Sequence, residues 1–153
     1  MVDEVVNNAR TDVMLVKLGN EKSLRRFLLP TAGGAHAQRA EKYAASLINF
    51  FDGVLTVCSV TPPDIVTDRD KINRLRRNLD QTVTRITKTY DLSPESEIIS
   101  HISVSNGVTE EVENADPAKS YDAIIVGASN RSIYPKVLFG SIPESIAKNS
   151  KQT

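Results

Sequence analysis

The sequence predicts an α/β protein built on a doubly wound, mainly parallel sheet of five strands. Short apolar runs without alternation indicate three buried strands, at 27–30, 54–60 and 123–126. Continuous apolar runs suit parallel strands that are covered on both faces. Helical patterns separate the strands, and this strand–helix order is typical of a doubly wound sheet with right-handed crossovers.

A fourth strand is predicted at Glu97–Val104, where apolar and polar residues alternate up to the turn residues Asn106 and Gly107. The second strand, 54–60, is rich in β-branched residues and contains Cys58, the single cysteine. One cysteine excludes an internal disulfide and a multi-cysteine metal site. Its apolar neighbours predict a buried, inert thiol in a reducing compartment.

Apolar residues at helical spacing predict helices at Ala40–Phe51, Ile72–Tyr90 and Val108–Asn114. The second of these is strongly amphipathic over about five turns. The last helix is expected to open at Ser141, because Ser141 followed three residues later by Glu144 forms a capping box.

The composition is that of an ordinary globular domain. The chain has 153 residues, with 19 basic and 19 acidic side chains that cancel. This balance gives no overall electrostatic footprint for nucleic acid or an anionic membrane. The basic run at Arg74, Arg76 and Arg77 is interpreted as a solvated helix face. No apolar stretch reaches the roughly 18 residues of a membrane span, and no signal peptide is visible, so a cytoplasmic location is expected.

The first twenty residues do not fit the repeating order. Thr11–Lys17 predicts a strand, yet no helix follows it before the next strand. Residues 1–20 are therefore interpreted as the helix end and final strand of a preceding domain, or as a displaced strand that completes the sheet or swaps into a partner. Residues 21–153 then form a domain that lacks its own final strand, in a chain cut from a longer protein.

No catalytic constellation is evident, and no catalytic residue is assigned. The chain has no P-loop motif, and His36 and His101 lack the spacing of metal ligands. The pair Glu110 and Glu111 lies on a predicted exposed helix. The sequence therefore predicts a protein that is neither an enzyme nor a metal-binding protein.

Backbone anion binding is the chemistry that the sequence supports. The unsatisfied N–H groups at the start of the last helix would stabilise a phosphate near Ser141 and Ile142. Gly140 would allow a close approach, Gly127 a tight turn, and Arg131 a charge-assisted contact. The alternative is that Ser141 only caps the helix and the glycines only relieve backbone strain.

The same loop resembles the nucleotide loop of the universal stress protein family, in which G-x-x-G is followed by nine residues and G-[S/T]. Here Gly127-Ala-Ser-Asn130 is followed by nine residues and Gly140-Ser141. The resemblance covers about 25–153. It implies a flavodoxin-like α/β/α sandwich, usually a homodimer, with ATP or AMP between the loops of the first and fourth strands, and Mg²⁺ only with ATP.

Two positions depart from the family pattern. Asn130 stands at the second glycine, and Thr31-Ala32-Gly33-Gly34 stands where the family often has V-D-G-S, so that Ala32 replaces a carboxylate. The resemblance implies a ligand site whose residues come from the first, second and fourth strand loops: Thr31, Ala32, Gly33, Val60, Gly127, Asn130, Arg131, Gly140, Ser141 and Ile142.

Two stretches that contain these departures or lie beside them resemble domains appended to amino-acid permeases and cation/proton antiporters, often in tandem pairs. They are Leu29–Gly34 and Phe139–Glu144. This resemblance implies a non-enzymatic regulatory domain that binds an adenine nucleotide and modulates a transporter. A nucleotide-free dimerisation module is the alternative, and a slow ATPase is a third.

Overall fold

The computed structural model describes residues 8–20, 23–128 and 141–153. In these ranges four parallel strands form one sheet in the order β3-β2-β1-β4. The strands are β1 Arg26–Pro30, β2 Val54–Thr61, β3 Glu95–Ser100 and β4 Ala123–Ile124. The predicted α/β class with a doubly wound parallel sheet is confirmed.

The described ranges also contain five α-helices and one 3₁₀ turn. The helices are α1 Ala35–Phe51, α2 Pro63–Thr67, α3 Arg69–Tyr90, α4 Val104–Asn114 and α5 Ser141–Asn149, and the 3₁₀ turn is Pro117–Lys119. None of the helices in these ranges combines the length and apolar character that crossing a bilayer requires.

Two helical layers cover the sheet, because alternate side chains of each strand point to opposite faces. Phe27 and Leu29 of β1 pack in one core with α1 and α3. Leu28, between them, packs on the other face in a core with Val108 of α4 and Ile146 of α5. Burial of such side chains stabilises the fold by about 1.5–3 kcal/mol each. Cys58 is fully buried in the second core, as predicted.

An ion pair joins the two helices of the first layer. The Glu41 carboxylate of α1 accepts hydrogen bonds from Arg85 of α3 at 2.7 and 2.9 Å. Glu41 is only 2% exposed, so its charge depends on this partner. The same hydrogen bonds raise the pKa of Arg85. The pair fixes the relative positions of α1 and α3.

The elements after β2 differ from prediction in their bounds. The short helix α2 was not predicted, and β4 has two residues where four were expected. The fourth predicted strand, 97–104, begins earlier and ends at Ser100, and α4 begins at Val104 instead of Val108. The reason is a local cap, because the Ser103 side chain accepts a hydrogen bond from the Asn106 backbone N–H.

The strand predicted at Thr11–Lys17 is not formed. Residues 11–19 are neither helix nor strand. Side chains hold the start of this segment, since Asp12 forms an ion pair with Arg39 at 3.6 Å and accepts a hydrogen bond from the Tyr43 hydroxyl at 3.0 Å. The β-type pattern therefore lacks the backbone ladder that would make it a strand.

The end of the chain, instead of its beginning, lies beside β4. The Thr153 N–H donates to the Asp122 carbonyl at 3.3 Å, and the Ile124 N–H donates to the Thr153 carbonyl at 2.9 Å. These two bonds have the pattern of a parallel bridge opposite Ala123. Lys17 and Gly19 reach this place through bonds to the Ser150 carbonyl and the Thr153 hydroxyl. That residues 1–20 are the tail of a preceding domain stays a prediction.

Candidate functional site

The strand order defines a switch point between β1 and β4. From β1 the chain moves outward through β2 to β3, then returns to the other side of β1 to form β4. The crossovers therefore diverge on either side of β1. In open α/β sheets, ligands bind beyond the carboxyl ends of the strands at such a point. The loops that follow Pro30 and Ile124 are the candidate site.

The loop after β1 is a turn that only glycine forms without strain. Gly33 and Gly34 have φ of 80° and 88°, in the left-handed region that other residues seldom adopt. The Thr31 N–H donates to the Cys58 carbonyl at 2.8 Å, and its hydroxyl accepts from the Gly33 N–H at 3.1 Å. Thr31 and Gly33 therefore form one ordered turn, and Ala32 lies exposed between them.

This turn leads directly into the N-terminus of α1. Gly34 is the N-cap residue and supplies no side-chain acceptor, and the first turn of α1 has no acidic residue. Among the described residues, no side chain caps the first N–H groups of α1, which therefore keep their positive partial charge. The sequence-based reasoning identified the loop before α1 but missed the helix N-terminus itself. The signal was present, since a glycine cap leaves these donors open.

Gly127 packs against the same helix turn. A Cβ atom at Gly127 would lie 2.9 Å from the His36 carbonyl oxygen and 3.3 Å from the Ala40 Cβ. The loop after β4 therefore reaches the first turns of α1 at a distance that a side chain would prevent. This contact places Gly127 on α1, the helix that follows the β1 loop. That Gly127 and the β1 loop share a ligand site stays a prediction.

The start of α5 belongs to the same edge of the sheet. Thr153, just beyond α5, lies beside Ala123 at the amino end of β4. Because α5 returns toward that end, its first residues, Ser141 and Ile142, point back toward the carboxyl edge. Both are exposed, and Ile146 anchors the helix in the second core. Three other predicted site residues lie outside the described ranges: Asn130, Arg131 and Gly140.

Val60 lies at the carboxyl end of β2, on the opposite side of β1 from β4. Its Cγ1 atom is 2.9 Å from the point where Gly107 of α4 would carry a Cβ. The side chain of Val60 is therefore directed at α4. Gly127 packs on α1, and the turn of Thr31 and Gly33 precedes that helix, whereas the described contact of Val60 is with α4.

The two histidines differ in their surroundings. His101 follows β3, and its Nδ1 accepts from the Ser103 N–H at 2.9 Å while its Nε2 lies 3.5 Å from the Glu110 carboxylate. His101 therefore supports the start of α4. His36 lies exposed in the first turn of α1, beside Gly127. In the described part of the chain, no three His, Cys, Asp or Glu side chains are grouped to hold a metal ion.

Comparison with protein families gives one match. The model of the "Universal stress protein family" matches residues 23–153. Among curated proteins, none matches the sequence significantly.

Solved structures share the fold at low sequence identity. A universal stress protein UspA from Lactobacillus plantarum has a TM-score of 0.67 and 15% identity, covering 86% of this chain and 96% of its own. A universal stress protein in complex with cAMP has a TM-score of 0.66 and 19% identity, with coverages of 86% and 94%. One from Archaeoglobus fulgidus in complex with dAMP has a TM-score of 0.62 and 17% identity, with coverages of 84% and 93%.

Proposed function

Because the chain belongs to the universal stress protein family, we propose that it is a regulatory domain that binds an adenine nucleotide. The ligand occupies the carboxyl edge of the sheet, between the loops after β1 and β4. The domain catalyses no reaction and transmits the nucleotide's presence to a membrane transporter. One observation carries the binding proposal: Gly127 packs on the first turns of α1, whose N-terminus is capped by no side chain in 8–20, 23–128 or 141–153.

The phosphates would be held by backbone groups. The uncapped N–H groups of α1 and the first turn of α5 supply donors and positive partial charge at one edge of the sheet. The Ser141 hydroxyl adds a donor that can rotate toward a phosphate oxygen. Such a site binds phosphate without a metal ion, so Mg²⁺ is expected only as the companion of ATP.

The adenine base would be bound less specifically than the phosphates. Ala32 is exposed and offers no carboxylate to the adenine or ribose. Recognition then depends on backbone groups of the turn from Thr31 to Gly33. Structures of family members with cAMP and dAMP support an adenine nucleotide as the ligand class. We expect weak discrimination among adenine nucleotides.

The transporter role is supported by the resemblance of Leu29–Gly34 and Phe139–Glu144 to transporter-appended domains. A homodimer or a tandem pair of domains is the proposed assembly. One observation favours a second candidate, a dimerisation module that binds no nucleotide: the residue that would recognise the base has been reduced to the methyl group of Ala32.

Isothermal titration calorimetry with ATP, AMP and cAMP tests the binding proposal. The wild type should bind at least one nucleotide, and Ser141→Ala should weaken binding. Ser46→Ala is the matched control, because Ser46 is an exposed α1 residue whose hydroxyl donates to the Lys42 carbonyl of its own helix. If no nucleotide binds at millimolar concentration, the dimerisation module replaces this proposal.

A further inference from the structure

The long helix α3 has a charge that the overall balance of the chain conceals. It contains seven basic and two acidic residues, a net charge of +5 in a chain whose total is zero. The opposite excess lies in 91–122, which contains eight acidic residues and one lysine, a net charge of −7. The positive charge of α3 and the negative charge of 91–122 are therefore carried by different segments of the chain.

Most of the basic side chains of α3 form no ion pair within the described part of the chain. Lys71 pairs with Asp68 at 3.2 Å, and Arg85 pairs with the buried Glu41. The remaining cations of α3 are exposed and form no ion pair with any described residue: Arg69, Arg74, Arg76, Arg77 and Lys88. We call these five residues the basic face.

The acidic excess surrounds a hollow of about 290 Å³ at the amino edge of the sheet, below the end of α4. Its carboxylates come from Glu95, Glu97, Glu111 and Asp116, and we call it the acidic hollow. Arg26 and Lys119 also line it, but its only ion pair among the described residues is Arg26–Glu95, at 4.0 Å.

Two of these carboxylates are poorly compensated. Glu97 and Glu111 form no ion pair with a described residue. Burial and the neighbouring charge of Glu97 raise the pKa of Glu111. A guanidinium group placed between them would relieve this repulsion and form charge-assisted hydrogen bonds.

We propose that the basic face of one copy of this chain docks its arginines into the acidic hollow of a second copy. Charge complementarity on the molecule itself selects this partner over other anionic surfaces. The basic face belongs to the α1–α3 layer, whereas the hollow lies on the α4 side of the sheet. The contact is therefore heterologous, and each copy has one surface of each kind.

Sedimentation velocity on the whole chain tests this contact through two variants. Arg74→Glu/Arg77→Glu destroys the basic face, and Glu95→Lys/Glu97→Lys destroys the hollow. The wild type should associate at about 20 mM NaCl. Its association constant should fall by about tenfold or more at about 300 mM NaCl, because salt screens the charges. Each variant alone should sediment at the low salt concentration as it does at about 300 mM NaCl.

Mixing the two variants is the most specific test of the contact between the basic face and the acidic hollow. Each variant retains one intact surface, and the two charge-reversed surfaces are complementary to each other, so an equimolar mixture should associate at about 20 mM NaCl. Circular dichroism checks the fold of each variant, and Glu97→Gln/Glu111→Gln replaces the lysine variant if that one does not fold. A mixture that sediments no faster than the separate variants overturns the proposal.

Two other results also overturn it. One is a wild type whose sedimentation does not change between the two salt concentrations, in which case vesicles with anionic lipid show whether the basic face binds lipid instead. The other is association of the wild type that neither variant reduces, because another surface then holds the copies together. The sedimentation experiment contains no nucleotide, so a negative result does not bear on the proposed nucleotide binding.

Discussion

The carbonyl oxygen of His36 lies 2.9 Å from the point where Gly127 would carry a Cβ atom. This contact sets the loop after β4 directly on the first turn of α1. It brings the segments that follow β1 and β4, the two strands at the switch point, into contact, and the candidate site depends on this contact.

Replacing Gly127 by valine should separate this loop from α1. The new side chain meets backbone at His36, which cannot rotate away, so either the loop or the helix must shift. Overpacking of this kind costs about 1–3 kcal/mol. Chemical denaturation should show the loss in the free energy of unfolding, and calorimetry should show weaker nucleotide binding. Ala128→Ser, at the exposed neighbouring residue, should change neither quantity; an unaffected Gly127→Val protein would show that the loop does not need this approach.

Ala35→Asp should separate stability from phosphate binding. A carboxylate in the first turn of α1 stabilises the helix through its dipole, by about 0.3–1 kcal/mol, but repels a phosphate at the same place. We expect an unchanged or higher Tm together with a nucleotide affinity lower by about tenfold. Ala35→Asn is the neutral control of nearly the same shape. Equal affinities for the two variants would place the phosphates elsewhere.

Arg85→Ala should strongly destabilise the fold, because it leaves the buried Glu41 carboxylate without its cation. Breaking a buried ion pair costs about 3–5 kcal/mol, and the partial exposure of Arg85 favours the lower end. Arg74→Ala, which removes an exposed arginine without an ion pair, should change stability by less than about 0.5 kcal/mol.

Chemical denaturation of both variants measures this difference. Equal losses of the free energy of unfolding would mean that the unpaired Glu41 carboxylate is not the cause.

Asp68 should make the start of α3 sensitive to acid. Its carboxylate accepts hydrogen bonds from the N–H groups of Lys71 and Asp70, and these bonds and Lys71 lower its pKa below the usual 3.8. Its stabilising effect is therefore complete above pH 3.8 and is lost as the pH falls through the lowered pKa. Asp68→Asn keeps the cap but not the charge, so the acid-dependent part of Tm should disappear. An acid profile identical to that of the wild type would exclude this role.

Much of the fold could be predicted because its strongest patterns are local. The apolar runs at β1 and β2 and the periodicity of α3 match the structure closely. The pattern at Thr11–Lys17 is equally β-like, yet no strand forms, because a strand needs a neighbouring backbone and Thr153 occupies the place beside β4. Pairing across the chain cannot be deduced from a local pattern.

The sequence identified the glycines of the candidate site that lie in the described loops. Gly33 and Gly127 were identified from the sequence, and the structure gives each a backbone reason. The open N-terminus of α1 was missed, because the donors belong to the backbone and Gly34 contributes no side chain. Val60 was included through its strand position, but the packing of β2 directs it to α4.

Amide chemical shifts measured during titration with AMP and with ATP test the central claim most directly. The account predicts saturable changes at the carboxyl edge, at Gly33, Ala35, Gly127 and Ser141. The amides of Arg26 and Glu95, at the opposite edge of the sheet, should not move. Changes confined to that opposite edge, or no saturable change at millimolar nucleotide, would contradict the account.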